Sequence, residues 1–407
     1  MKMNNSALTK DLEKQLNKVK QASLLIGIPS YNCASTINYV IYQSALGLIN
    51  YFQKFSHAIL VSDGGSSDGT LNAAKAFKLP RKINLILGRY EGASGKGSAV
   101  KAIMEASIKL NSDSVIVLDS DLRSIKPEWI KVLFSSIINE SVDLAAPLYI
   151  RDKFDGTITN HLCYPFTKGV YECDVRQPIG GDFAFSRRLI EDLLQNPLWK
   201  SVFTKRFGID IFITHSAIAK GYKIYEVFLG SKLHEAKDPS VHLKNMFIQV
   251  AGSMLDCMNQ YRDFWLKTRR LSKPPLIKEL FSFPQPEDLA LSFKTQKMIF
   301  KKEIKENFLI LKKLLEEKLL KNLLKLNLRD EDWAKIAYSL AVNYLKGKLD
   351  LLNVLKAFYS AWLGKVTFFI KETCNLSNEE AEAKIREEAE TFRKLKPYLI
   401  KVYNEMV

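Results

Sequence analysis

The sequence predicts an α/β fold with a mostly parallel sheet, followed by a mainly α-helical C-terminal domain. Three observations predict it. Up to about residue 240, short and nearly uninterrupted apolar runs alternate with helix-length segments, as in parallel sheets covered by helices on both faces. Polar clusters at Tyr31-Asn32, Asp63 and Asp119 to Asp121 each follow such a run, and ligands of these sheets bind beyond the carboxyl ends of strands. From about residue 241 the strand signal stops, and a 3–4 apolar spacing runs through Ile304, Phe308, Leu311, Leu315 and Leu319.

Taken in order, residues 7 to 20 read as an amphipathic helix on Leu8, Leu12, Leu16 and Val19. Leu24 to Pro29 is a buried strand, and Ser35 or Thr36 is placed to cap the next helix. HAILVSDGGSSDGT, residues 57 to 70, is a strand breaking into a glycine-rich turn, and KINLILG, residues 82 to 88, is another strand. KGSAVKAIMEASIKL is a helix, and SVIVLDSD, residues 114 to 121, is a strand ending in two acids. The alternation continues through DLAAPLYI, FAFSRRLIEDLL and KIYEVFL. Prolines 274, 275, 284 and 286 mark a linker. The expected division is an N-terminal helix over 1–22, the α/β domain over 23–250, a helix and linker over 251–287, and a helical domain over 288–407.

Composition narrows the function. With 60 Lys+Arg against 44 Asp+Glu the net charge is +16, which favours anionic partners. Much of the excess lies in runs such as Lys301-Lys302 and Lys312-Lys313, which read as solvated helix faces. No aromatic-plus-basic stripe or zinc spacing accompanies it, so nucleic acid is not expected. The five cysteines, Cys33, Cys163, Cys173, Cys257 and Cys374, are scattered and suggest no disulfide framework. The polar N-terminus has no apolar signal core, and no apolar stretch is long enough to span a bilayer. A cytoplasmic location is the expectation.

The sharpest chemical signal is Asp119-Ser120-Asp121 after the run IVL. Positions i and i+2 of a strand face the same way, so both carboxylates can address one hard cation, Mg²⁺ or Mn²⁺, that also takes substrate phosphates. Such an ion neutralises charge on a departing diphosphate. His234, after the strand KIYEVFL, could complete the ligand set, or be an ordinary surface histidine. Asp63 before Gly64-Gly65 could accept from a base N–H or a ribose hydroxyl, or simply shape a turn. GASGKG, with Lys96 between glycines ahead of a helix, could approach phosphate closely. It is not a P-loop, and no GxGxxG appears, so no nicotinamide cofactor is implied.

These segments together resemble the GT-A glycosyltransferases of the broad family 2 type: PSYN, VSDGGSSDGT, GKG and DSD occur in that order, and the resemblance covers residues 24 to about 250. A closer resemblance is to the mannosylglycerate and glucosylglycerate synthase group. Its pattern reads here as Asp119-Ser120-Asp121, then Arg151, Asp155 and Thr159, then Gln177 to Asp182, then Gly208-Ile209-Asp210, then His234. The resemblance implies a GT-A nucleotide-sugar-binding fold and a retaining transferase. The transferred group is a hexose, mannose or glucose, carried from a GDP- or UDP-sugar to D-glycerate or a similar small hydroxy acid.

By that resemblance Asp119, Asp121 and His234 hold the metal. Pro29, Tyr31, Asn32, Asp63, Lys96 and Ser120 serve the donor. Arg151 holds the acceptor carboxylate, for which a rigid guanidinium fork is suited, and Asp155 and Thr159 contact its hydroxyls or order the loop. Ile179, Gly180 and Asp182 frame the acceptor, and Asp210 sits near the reacting centre. Bland readings stand beside these: Arg151 and Asp155 as a helix-surface pair, Asp210 as a helix cap, and Gly180-Gly181 as a turn. The chain departs from the group at Asp182, where the pattern has glutamate, at Glu235-Ala236-Lys237, and in its GIPSYN opening. Other readings remain open: a glucosyl-3-phosphoglycerate synthase, an inverting family 2 transferase with a lipid or glycan acceptor, or an oligomeric scaffold with a decayed transferase domain. The helical C-terminal region leaves a homo-oligomer open.

Overall fold

The structure, a computed structural model, describes residues 6–79, 83–234 and 239–406. Lys82 and Glu235-Ala236-Lys237, used above, fall outside these residues. Contacts divide the chain into two compact units, and not at the expected borders. The first holds the residues up to 150, 179 to 237 and 274 to 286; the second holds 151 to 178, 238 to 273 and 287 onward.

The first unit is built on β1 (Leu24–Ser30), β2 (His57–Asp63), β3 (Asn84–Arg89), β4 (Ser114–Val117), β5 (Leu144–Ile150), β6 (Phe183–Ser186), β7 (Ile224–Ser231) and β8 (Leu276–Ile277). They form one sheet in the order β3-β2-β1-β4-β6-β5-β7-β8. All pairings are parallel except those of β6, which runs against β4 and β5. The α/β class is therefore as predicted. β1, β2 and β4 are buried along their whole lengths, which is why their sequences read as apolar runs and not as alternation. Ile26 lies opposite Ile59 on one side and Ile116 on the other, at the middle of the core.

Helices cover the sheet: α1 (Lys10–Val19), α2 (Ile37–Tyr51), α3 (Thr70–Ala76), α4 (Lys96–Lys109) and α5 (Pro127–Glu140). After α6 (Tyr164–Tyr171), which belongs to the second unit, come α7 (Arg187–Leu194) and α8 (Ile209–Ala219). Leu12 and Leu16 bury the inner face of α1, as their spacing predicts. Thr36 occupies the N-cap position of α2 but does not cap it through its side chain. Its hydroxyl donates instead to the carbonyls of Cys33 and, at 2.8 Å, Ser120. The cap expectation thus gives way to a tie between α2 and the Asp119-Ser120-Asp121 turn.

The stretch 272–287 is not a free linker. Residues 274 to 286 lie along the sheet edge, where β8 pairs with β7, Phe283 packs on Phe228, and Ser231 Oγ donates to the Pro284 carbonyl. Proline suits such an edge, because the outward side of an edge strand needs no ladder donor.

The second unit is helical, from α9 (Pro239–Gln260) and α10 (Arg262–Lys267) through α11 (Phe293–Leu314), α12 (Glu317–Leu324), α13 (Asp330–Lys346), α14 (Leu351–Thr373), α15 (Asn378–Lys394) and α16 (Lys396–Glu405). The 3–4 stripe predicted from Ile304 to Leu319 is broken between α11 and α12 at Leu315, and the buried polar residue Asn307 takes a place on its inner face. Phe166, Trp333, Tyr338, Phe358 and Phe392 form its aromatic core. The segment 151–178 enters this unit through a single π-helical turn, Thr159–Cys163, leading into α6. Among the described residues no helix is long and apolar enough to cross a membrane.

Candidate active site

Three strand ends and two helix starts of the first unit supply one cluster of charges. β4 ends at Val117, and the turn beyond it carries Asp119. The start of α4 supplies Lys96, the first turn of α8 supplies Asp210, the approach to β6 supplies Asp182, and the end of β7 supplies Lys232. Lys96 Nζ lies 2.8 Å from Asp119 Oδ1 and 3.0 Å from Asp210 Oδ2. Lys232 Nζ donates to Asp119 Oδ2 at 2.7 Å, Asp182 Oδ2 at 2.7 Å and the Gly180 carbonyl at 2.9 Å. Asp182 Oδ1 accepts from the Asp119 backbone N–H at 2.7 Å, and its Oδ2 also accepts from the Tyr149 hydroxyl. Asp182 thus braces Asp119 from beneath, fully buried, while 21% of the Asp119 side chain stays exposed.

Burial opposes charge on Lys96, but the Asp119 and Asp210 carboxylates outweigh it and hold the ammonium above the ordinary lysine range. Burial likewise favours a neutral Asp119, and there Lys232 and Lys96 prevail, holding its carboxyl well below the usual range. For Asp182 and Asp210 burial prevails, reinforced by the Asp119 charge, and both are pushed up. The cluster therefore fixes one ionised, partly exposed carboxylate between two ammonium groups.

The glycines of this region act by letting other atoms in. Gly181 has φ +92°, and a Cβ there would meet Asp119 Oδ2 at 2.4 Å and Lys232 Nζ at 3.0 Å. The turn lies at Pro178-Ile179, just before the glycines, and the chain bends at Gly181, which clears space for the ion cluster. Gly97 has the Thr204 carbonyl 1.9 Å from where its Cβ would sit. The Gly97 and Ser98 N–H groups donate to the carbonyls of Arg206 and Lys205. The start of α4 consequently spends those donors on the chain at 205–206 and not on an anion. From GASGKG, it is the Lys96 side chain that reaches the cluster.

Other expected donor residues are arranged differently from the expectation. Asp63 is buried, and its Oδ1 accepts from the N–H groups of Gly65 and Ser66, its Oδ2 from the hydroxyls of Ser30 and Ser66. Four donors fill a carboxylate's usual acceptor sites. The turn reading of Asp63 is what this geometry supports, with no acceptor left over for a base or a ribose. Pro29 is buried within β1 opposite Ser62. Asn32, at φ +49°, accepts from the Ser67 N–H. Tyr31 is 59% exposed beside Gly64, at the carboxyl end of β1.

The turn at 119–123 runs against 233–234: Leu122 bridges His234, the Arg123 N–H donates to the Leu233 carbonyl, and the Leu233 N–H donates to Ser124 Oγ. His234 is thereby held next to the turn that carries both acids. Carboxylate oxygens and one imidazole suit Mg²⁺ or Mn²⁺ in kind, and Asp119 retains exposed surface. Among the described residues, however, no three His, Cys, Asp or Glu side chains are gathered into a ready metal cage. Both Asp119 oxygens face lysines instead.

Arg151, Asp155 and Thr159 fall in the second unit. Arg151 Nε lies 3.3 Å from Asp155 Oδ2, on an irregular turn and not on a helix surface, and Thr159 is buried at the start of the π-helical turn. Asp210 lies in the first turn of α8, one residue inside its start, and not at its cap. Sequence reasoning missed Lys232 and Tyr149. The available signal for Lys232 was its place, two residues before His234 at the end of an apolar strand, where a lysine needs a carboxylate partner.

Residues 70–255 match the family model described as the mannosylglycerate synthase GT domain. Over that span the chain is similar to the glycosyltransferase domain of mannosylglycerate synthases. Lys96, Asp119, Asp121, Asp182, Asp210, Lys232 and His234 all lie inside the matched span, while β1 and Asp63 precede it. The chain is also similar to a glucosyl-3-phosphoglycerate synthase of Petrotoga mobilis, 24% identical over 315 residues that cover 72% of this chain and 93% of that protein. Among solved structures it is similar to glucosyl-3-phosphoglycerate synthase from Mycobacterium tuberculosis. A complex of that protein with Mn²⁺, UDP and phosphoglyceric acid is 22% identical, with TM-score 0.46 over 63% of this chain and 84% of that one. A complex with Mn²⁺, UDP-glucose and phosphoglyceric acid gives TM-score 0.47 at 22% identity, over 63% and 85%.

Proposed function

We propose that this protein is a metal-dependent hexosyltransferase that moves mannose or glucose from a GDP- or UDP-sugar to D-glycerate, with retention of anomeric configuration. The observation that carries the reading is the pair of ammonium groups, the buried Lys232 and the partly exposed Lys96, fixed around Asp119 within the matched glycosyltransferase span. Preorganised cations in a partly dry site stabilise charge that develops on a leaving group, here a diphosphate. Asp119, Asp121 and His234 would hold the divalent cation, which supplies further neutralisation of that leaving group when bound. Asp210 sets Lys96, and Asp182 sets Asp119 and Lys232. The exposed ring of Tyr31 offers a face to the donor base.

Arg151 takes the acceptor carboxylate in this reading, on the strength of the Arg151, Asp155 and Thr159 spacing. The acceptor hydroxyl attacks from the side the diphosphate leaves, and a diphosphate oxygen takes its proton. Similarity to a glucosyl-3-phosphoglycerate synthase across 93% of that protein favours a second acceptor, 3-phosphoglycerate. The scattered cysteines support a cytoplasmic setting.

A matrix of UDP- and GDP-glucose or -mannose against D-glycerate and 3-phosphoglycerate, with Mg²⁺ or Mn²⁺ and proton NMR of the products, tests this. The expected result is one preferred pair giving an α-linked product. A β-linked product would replace retention by inversion, and no acceptor-dependent transfer from any donor would refute the proposal.

A further inference from the structure

The proposed metal position contains a conflict. Asp119 is the residue best placed to receive a cation, yet each of its oxygens already faces an ammonium group, Lys96 on Oδ1 and Lys232 on Oδ2. The two lysines are not equivalent. Lys96 makes two contacts, to Asp119 and Asp210. Lys232 directs its donors at three acceptors, Asp119, Asp182 and the Gly180 carbonyl, which matches the three N–H groups of an ammonium. Its side chain is only 4% exposed, and the Tyr149 ring lies 5.3 Å away. Lys232 can release Asp119 and remain anchored by Asp182 and Gly180, with one donor left to place.

Releasing Asp119 is costly unless that donor finds a new acceptor, because an unsatisfied buried ammonium is penalised. A cation arriving alone aggravates the problem, since it adds charge beside two ammonium groups. A diphosphate relieves it twice, by accepting from Lys232 and by balancing the added charge.

We propose that Lys232 gates the metal position. It holds Asp119 in the ligand-free protein and yields it only when a nucleoside diphosphate gives its freed donor an acceptor. Metal and diphosphate therefore bind cooperatively, each weakly by itself. This inference rests on the metal-dependent reading above and concerns a positioning role for Lys232. Linkage makes the coupling reciprocal, so the factor by which UDP or GDP raises Mn²⁺ affinity equals the factor by which Mn²⁺ raises nucleotide affinity.

Mn²⁺ binding to the full chain, read by electron paramagnetic resonance with and without saturating UDP or GDP, tests it without any turnover. The wild type is expected to bind Mn²⁺ at least about tenfold more tightly with nucleotide, within the usual range of coupling. In Lys232→Met, Mn²⁺ alone binds more tightly than in the wild type, and the coupling falls at least about threefold, to what direct attraction between cation and diphosphate supplies, while Lys232→Arg keeps the wild-type coupling. Unchanged coupling in Lys232→Met overturns the gate and leaves the transferase reading standing. Failure of the wild type to bind Mn²⁺ even with UDP or GDP would instead defeat the metal-dependent reading itself. Should Lys232→Met fail to fold, Lys232→Gln, which keeps a donor for Asp182 but no charge, carries the same comparison, and unchanged coupling in it overturns the gate.

Discussion

Each unit of this protein buries a network of ionised side chains, and the two networks differ in one respect. In the sheet unit the central carboxylate, Asp119, keeps 21% of its side chain exposed. In the helical unit the central carboxylate, Glu388, is 1% exposed, held by His161 Nδ1 at 2.8 Å and Lys365 Nζ at 3.1 Å, with Asp330 on the other side of Lys365. Both lysines are held above their ordinary range against burial, and both central carboxyls are held low by their cations despite burial. Similar electrostatics thus serve two ends. A carboxylate sealed at the centre of its network, as Glu388 is, serves the packing of α14, α15 and the π-helical turn, whereas one that keeps exposed surface, as Asp119 does, can exchange a partner. Access at the central carboxylate, more than charge, distinguishes the proposed transferase centre from the helical network.

The sharpest way to break this comparison is to delete both carboxylates. Glu388→Ala takes the carboxylate from His161 and leaves Lys365 with Asp330 alone, and is expected to cost about 3 kcal/mol of stability, with kcat per folded molecule unchanged. Denaturant unfolding beside an activity assay reads both. A Glu388→Ala protein of wild-type stability would remove the structural role assigned to it. The pH dependence follows in sign. The Glu388 carboxyl is depressed below its ordinary 4.5, so its contribution is full above that value and is lost as pH falls through the lower folded value. The stability gap between wild type and Glu388→Gln is therefore expected to narrow as acid is added below about pH 4.5.

Asp119→Ala is expected to behave in the opposite way. Lys96 keeps Asp210 and Lys232 keeps Asp182, so the variant folds, and transfer falls about 10²–10³-fold. A large loss of stability with normal kcat would merge the two networks into one class.

Gly181→Ala sharpens the comparison at the level of backbone. Its positive φ and the Asp119 oxygen in the path of a Cβ predict a cost of about 1–3 kcal/mol, together with weaker transfer, because the Asp119–Lys232 pair must move. The smallest effect is expected for Thr36→Val, which removes the hydroxyl donated to the Ser120 carbonyl. About 1 kcal/mol of stability is lost, and KM for the donor rises before kcat changes.

Much of the sheet unit was legible because its signals are local. Apolar runs ended by proline or by acids placed β1, β2 and β4, and the spacing of Asp119 and Asp121 was readable within three residues. The remainder depends on partners far apart in the chain. Lys232 meets Asp119 across 113 residues and Asp182 across 50, and nothing in the local pattern of KIYEVFLGSKLH names those partners. Asp63 was open to both a ligand and a turn reading: Gly65 and Ser66, two and three residues on, supply three of its four donors, and Ser30 adds the fourth once β1 and β2 pair. The prolines near residue 280 signalled irregular chain correctly, but a two-residue edge strand is too short to show periodicity. The exchange of residues 151–178 into the helical unit likewise has no local signature, since α6 is apolar enough to pack against either kind of partner.

The most direct measurement is acceptor-dependent release of nucleoside diphosphate, followed with the preferred sugar donor in Mn²⁺ and again after chelation by EDTA, for wild type and Asp119→Ala. Release by the wild type in Mn²⁺, its loss in EDTA with recovery on returning the metal, and its near absence in Asp119→Ala are the predicted results. Equal release in EDTA, or full release by Asp119→Ala, would contradict a transfer centred on Asp119 and its cation.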